Sequence, residues 1–233
     1  MQRMKRHLVT VGCIVLAAIG GVYYYASRSR IPSFPINSAD TIPSWNFKGA
    51  YGGNEILVAQ ANKDIEHLQS LIGKGQYDDY DLYIGQANDY GLLGDGVKAY
   101  DYYNRAVAVH KDKGLAYANI GHLFDELGAY HTAADAYAKA ASVEAGQIEY
   151  HLERLTFLTI RFPKDSAMIL SAFDDSKKVF GETAQTLAIT ADWYTGQGRY
   201  ADAIAAWEYA MRISPRKDVS AIEEEIARLK AKQ

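Results

Sequence analysis

Residues 114–147 read GLAYANIGHLFDELGAYHTAADAYAKAASVEAGQ, and the order of small and large side chains in them is that of two helices packed closely against each other. Numbered as places 1 to 34, Tyr117, Ile120, Gly121, Phe124, Ala133, Tyr137 and Ala140 hold places 4, 7, 8, 11, 20, 24 and 27. Antiparallel helices approach closely only where side chains are small. This puts Gly121 of the first helix and Ala133 and Ala140 of the second at the crossing, with Phe124 and Tyr137 filling the space beside it. Leu127-Gly128-Ala129 interrupts the helical pattern, and Gly128 supplies the left-handed residue that a helix terminus favours.

The same order recurs in phase. Over 80–113, Tyr83, Ala87, Tyr90, Ala99, Tyr103 and Ala106 hold places 4, 8, 11, 20, 24 and 27, with Gly94 at the turn. Over 184–217, Leu187, Ala191, Tyr194, Gly198, Ala203, Trp207, Ala210 and Pro215 hold places 4, 8, 11, 15, 20, 24, 27 and 32. Between the second and third clear copies, 148–183 carries one apolar stripe of Leu152, Leu155, Leu158 and Phe162, a stop at Pro163, and another of Ile169, Ala172, Phe173 and Phe180. That segment is a degenerate hairpin. The stack is flanked by an amphipathic pattern over 54–73, with Leu57, Ala61, Ile65, Leu68 and Ile72, and by another over 218–232, where Ser220 and Glu223 have capping-box spacing. Both read as capping helices, because the terminal units of stacked repeats are atypical.

A 34-residue period with these residues resembles the tetratricopeptide repeat, or TPR. The resemblance covers 80–217 and implies an all-α, right-handed superhelix of helical hairpins that serves to bind another protein. At 100° per residue, first-helix places 2, 5, 9, 12 and 13 lie opposite the packing places, on the face that lines the concave groove of TPR proteins. By that mapping the groove holds Asp81, Ile84, Asn88, Gly91 and Leu92, then Leu115, Ala118, His122, Asp125 and Glu126, then Gln185, Ala188, Asp192, Thr195 and Gly196. Asn88 and Asn119 match two asparagines with which some TPR proteins clamp a peptide carboxylate. Ile84 stands where those proteins have lysine, so the clamp itself is not implied. The polar candidates for binding a partner are therefore Asp81, Asn88, Asn119, His122, Asp125, Glu126, Gln185 and Asp192, and their acids favour a neutral or basic segment.

No Gly-rich phosphate loop, nucleophile elbow or paired cysteine occurs, so neither a catalytic group nor a cofactor or metal site is expected. The rival reading is a cation-dependent ligand or sugar binder, or an enzyme, using His122, Asp125 and Glu126 on one helix. A third is a structural spacer that associates with itself. His67, His110, His131 and His151 are read as lying on polar faces or near helix ends, without a partner at motif spacing.

The 233 residues are 48% hydrophobic and 23% charged, which suits a folded chain. The first 30 residues carry five basic side chains and no acid, leaving 20 basic against 28 acidic residues and a net charge of −8 on the remainder. An acidic body argues against nucleic acid as a partner. The lone Cys13 allows no intrachain disulfide. Residues 8–26 form a 19-residue run without a charge. As a helix it would be about 28 Å long, enough for one transmembrane signal-anchor span. The basic tail 1–7 before it places the N-terminus in the cytoplasm, and Tyr23 to Tyr25 suit the far interface. Residues 27–53, with Pro32, Pro35 and Pro43, read as a linker to the repeats at 54–233.

The layout is similar to that of single-span bacterial envelope proteins with a TPR domain. The expectation is a scaffold or adaptor in the inner membrane, its C-terminal domain extracytoplasmic, serving assembly or quality control of an envelope complex.

Overall fold

Short polar caps and left-handed glycines divide the described residues, 33–214 and 219–232 of this computed structural model, into ten helices. Every described helix belongs to the unit 35–233. They are α1 Glu55–Leu71, α2 Asp79–Leu93, α3 Gly96–Val109, α4 Gly114–Glu126, α5 Tyr130–Val143, α6 Ile148–Arg161, α7 Ser166–Phe180, α8 Ala184–Gly196, α9 Tyr200–Ile213 and α10 Ser220–Lys230. Asn54, Asp78, Asp95, Asp165 and Thr183 each accept a backbone N–H at the helix start that follows them. Gly94, Gly128 and Gly198 share place 15, and their φ values of 81°, 74° and 71° turn the chain back between α2 and α3, α4 and α5, and α8 and α9.

Helices pair with their sequence neighbours, and the small residues lie where the pairs cross. Ala87, Ala99, Ala106, Ala133, Ala140, Ala191 and Ala203 are wholly buried. A methyl on Gly121 would stand 2.9 Å from the Tyr137 ring, so the helix approaches that ring only because the methyl is missing. The degenerate hairpin, α6 with α7, buries Leu155, Leu158, Ile169 and Ala172. At one end, α1 covers α2: Leu68 lies over Gly85, and the Gln86 side-chain amide donates to the carbonyl of Ile65 and to Gln69 Oε1, both at 3.2 Å. At the other, Ile226 and Leu229 of α10 pack on Ala203 and Ile204 of α9.

Two expectations change. Ser220 is the first residue inside α10, and Val219 is the N-cap, without a side-chain hydrogen bond, so the Ser220/Glu223 capping box does not form at the cap. His151 lies not on a polar face but in the interior, edge-on to the Phe180 ring at 5.4 Å, and burial pushes its pKa down. His110 and His131 meet carboxylates far from them in sequence, Asp78 and Asp40, each 3.0 Å away, at no motif spacing.

The largest correction concerns the linker. From Asn37 onward the segment is an arm laid over the turns of two repeats. The Asn37 backbone N–H donates to Thr132 Oγ1 at 3.0 Å. The carboxylate of Asp40 receives the N–H and the hydroxyl of Thr132, both at 2.6 Å, and the N–H of His131 at 3.2 Å. Ala129, the N-cap of α5, has no side chain that could cap, so Asp40 supplies the cap from 89 positions earlier in the sequence. Trp45 then packs against the rings of Tyr100 and Phe124, at 5.4 and 5.9 Å. Its carbonyl accepts from Gly96, and Phe47 and Tyr51 donate their N–H groups to the carbonyls of Gly94 and Leu92. A Cβ on Gly49 would stand 2.2 Å from the Leu92 carbonyl oxygen, and one on Gly94 2.1 Å from that of Phe47, so the two backbones meet only at glycines.

The span expected at 8–26, the basic tail 1–7 and the first part of the linker lie outside the described residues. Among the described residues, no helix is long and apolar enough to cross a membrane.

Candidate functional site

The first helices of successive hairpins, α2, α4, α6 and α8, present the face opposite their packing residues, and two clefts open along it. The first, about 590 Å³, lies between α2 and α4. Asn88 and Leu92 of α2 and Asn119, His122 and Glu126 of α4 line it, together with Phe47 and Lys48 of the arm. Asn88 is held in place: its Oδ1 accepts the Tyr103 hydroxyl at 2.7 Å and the Asn119 amide at 3.3 Å. Burial pushes the Tyr103 pKa up, so the hydroxyl keeps the proton it donates.

A polar network continues toward α6. His122 Nδ1 and the Tyr137 hydroxyl are hydrogen-bonded at 2.8 Å, and His122 Nε2 is 3.9 Å from the Glu153 carboxylate. The Arg161 guanidinium donates to Asp125 at 2.7 Å and lies over the Tyr130 ring. His122 and Asp125 are thus turned to different partners. Among the described residues, no group of three or more His, Cys, Asp or Glu is placed to share a metal ion.

The second cleft, about 470 Å³, lies between α6 and α8. Thr156, Thr159 and Ile160 come from α6, and Ile189, Asp192 and Trp193 from α8. The Trp193 indole N–H donates to the carbonyl of Pro163 at 2.8 Å, which ties the end of α6 to α8. Asp192 is exposed, yet the atoms packed around it partly desolvate the carboxylate and raise its pKa. Glu225 adds to the rise and Arg228 opposes it.

Of the eight candidate residues, Asn88, Asn119, His122 and Glu126 meet in the first cleft and Asp192 lines the second. Asp125 is tied to Arg161 beside the first cleft, while Asp81 and Gln185 are exposed and line neither. Two further residues of the expected groove, Ile84 and Ala118, are 7% and 2% exposed, so they pack rather than line it. Sequence reasoning missed Phe47, Lys48 and Tyr103. The available signal for the arm was its pair of aromatic residues, Trp45 and Phe47, flanked by glycine and proline.

No protein-family model matches the chain, and no curated protein matches it. Among solved structures it is similar to the crystal structure of MamA, with a TM-score of 0.52 and 13% identity, over 73% of this chain and 92% of that one. A likeness at that identity concerns the fold alone, which is a TPR-like helical repeat.

Proposed function

We propose that this chain is a protein-interaction scaffold that receives a neutral or basic segment of another protein along the faces of α2, α4, α6 and α8. The observation that carries the reading is the first cleft. There Asn88, Asn119, His122 and Glu126 converge around open space, bounded by Leu92 and Phe47, and Glu126 is exposed and not needed for packing. Amide side chains beside an apolar wall can hydrogen-bond an extended main chain while the wall takes a side chain. The pairing of His122 with Tyr137 and of Asp125 with Arg161 speaks against the rival reading, in which His122, Asp125 and Glu126 would share a cation.

In the same proposal residues 8–26 anchor the chain in a bacterial inner membrane, with the repeats on the extracytoplasmic side and no enzymatic role. Support for the anchor comes from the length of the uncharged run and the basic tail before it. The test is a photo-crosslinking amino acid placed at Asn119 in membranes, followed by identification of what it captures. A defined protein partner, lost when Glu126→Lys is introduced, is the expected result. Capture that is identical with the crosslinker on the exposed outer side of α5, at Asp135, would overturn the reading.

A further inference from the structure

We infer that the cleft between α6 and α8 receives a lysine or arginine side chain of the bound segment, its aliphatic stem against Ile160 and Trp193 and its cationic head against Asp192. The inference rests on the protein-binding reading above and assigns the choice of partner charge to a different place from the one the sequence suggests.

Charge complementarity carries it. The acid expected to select a basic partner, Asp125, already holds Arg161, and Glu126 shares the first cleft with Lys48. That cleft is close to neutral. In the second cleft Asp192 is the single ionisable lining residue, and among the described residues it makes no hydrogen bond or ion pair. The nearest charges are Glu225 and Arg228 of α10, which are bonded to each other, so the neighbouring cation is already engaged. Around the carboxylate the lining is largely apolar, and Ile160 leaves 63% of its surface in water. A carboxylate at an apolar wall suits a long amphipathic side chain, because its methylenes can cover the wall while the head stays at the water boundary. A shorter cation would leave Ile160 exposed, and an apolar side chain would leave Asp192 without a partner.

The test uses the full chain in detergent micelles and three capped peptides, acetyl-Ala-Leu-Ala-X-Ala-Leu-Ala-amide, with X lysine, norleucine or glutamate. Binding is followed by the indole NMR resonance of Trp193, identified with Trp193→Phe. The lysine peptide should bind about threefold or more tightly than the norleucine peptide, the range of a partly exposed ion pair, and the glutamate peptide more weakly than both. Asp192→Asn should abolish the lysine preference and leave norleucine binding unchanged, while Ile160→Ala should weaken both. Equal affinity for lysine and norleucine, or a lysine preference that survives Asp192→Asn, would overturn the inference and leave the scaffold reading standing. If no peptide perturbs Trp193 or the amides of Asn88 and Asn119, both fall.

Discussion

Asp40 shows how one side chain can tie distant parts of the chain together. Its side chain is 5% exposed, and burial alone would raise its pKa, but the hydrogen bonds from Thr132 and His131 outweigh that and hold it below the ordinary carboxylate value. A carboxyl whose pKa is depressed by folding stabilises the fold above its unfolded pKa, and the contribution is lost as pH falls through the folded value. Asp40→Ala should therefore cost about 1–2 kcal/mol at neutral pH, the range for losing an N-cap. The gap in urea midpoint between variant and parent should close below about pH 4. Gly121 offers a second test. Replacing glycine by alanine in a helix usually gains about 0.5–1 kcal/mol, and Gly91→Ala, with nothing within 4 Å of the new methyl, should show that gain. Gly121→Ala should instead lower the thermal midpoint, because its methyl meets the flat Tyr137 ring, and overpacking typically costs about 1–3 kcal/mol.

The arm is the element whose behaviour departs most from its composition. Prolines and scattered polar residues describe a linker. Yet Trp45 and Phe47 find apolar and backbone partners at the turns of two hairpins, and that docking makes Phe47 and Lys48 part of the lining of the first cleft. Gly49→Val should lift this stretch from the α2–α3 turn, since even a Cβ there collides with the Leu92 carbonyl. Hydrogen exchange should then accelerate at the amides of Tyr51 and Gly96, which donate across the contact, and remain unchanged in α8 and α9. Unaltered exchange at Gly96 would mean that the arm contributes no protection to the hairpins. The segment was hard to read because its contacts join residues from 41 to 95 positions apart, and no period marks them.

For the molecule as a whole, charge is organised differently from the count of acids. Asp125 belongs to a cross-repeat bond with Arg161, so Asp125→Lys should cost stability by setting two cations together. Glu126 is exposed, and Glu126→Lys should leave the thermal midpoint within about 0.5 kcal/mol of the parent while weakening binding of a basic segment. That binding should also fall as salt is raised from low to physiological strength. A midpoint drop for Glu126→Lys as large as for Asp125→Lys would show that Glu126 is structural. The proposed anchor has its own test: membrane fractions extracted with alkaline carbonate should retain the intact chain, and a soluble form beginning near Ser27 would point to cleavage instead.

The repeat architecture was legible because it is local and periodic. Glycine and alanine at the crossings, aromatics beside them and a left-handed glycine at the turn of each clear repeat act within about 34 residues, and repetition makes the signal additive. The angular argument also reached Asn88, His122, Glu126 and Asp192, since a residue's face follows from helix geometry alone, while Asn119 came from the resemblance to the carboxylate clamp. What it could not supply was the partner of each side chain. That His151 is buried, that Asp125 is held by Arg161, that Asp40 caps α5 and that the arm lines a cleft are outcomes of chain segments meeting in space. No spacing in the sequence encodes them, because each contact joins residues on different elements whose approach is set by the packing of the whole stack.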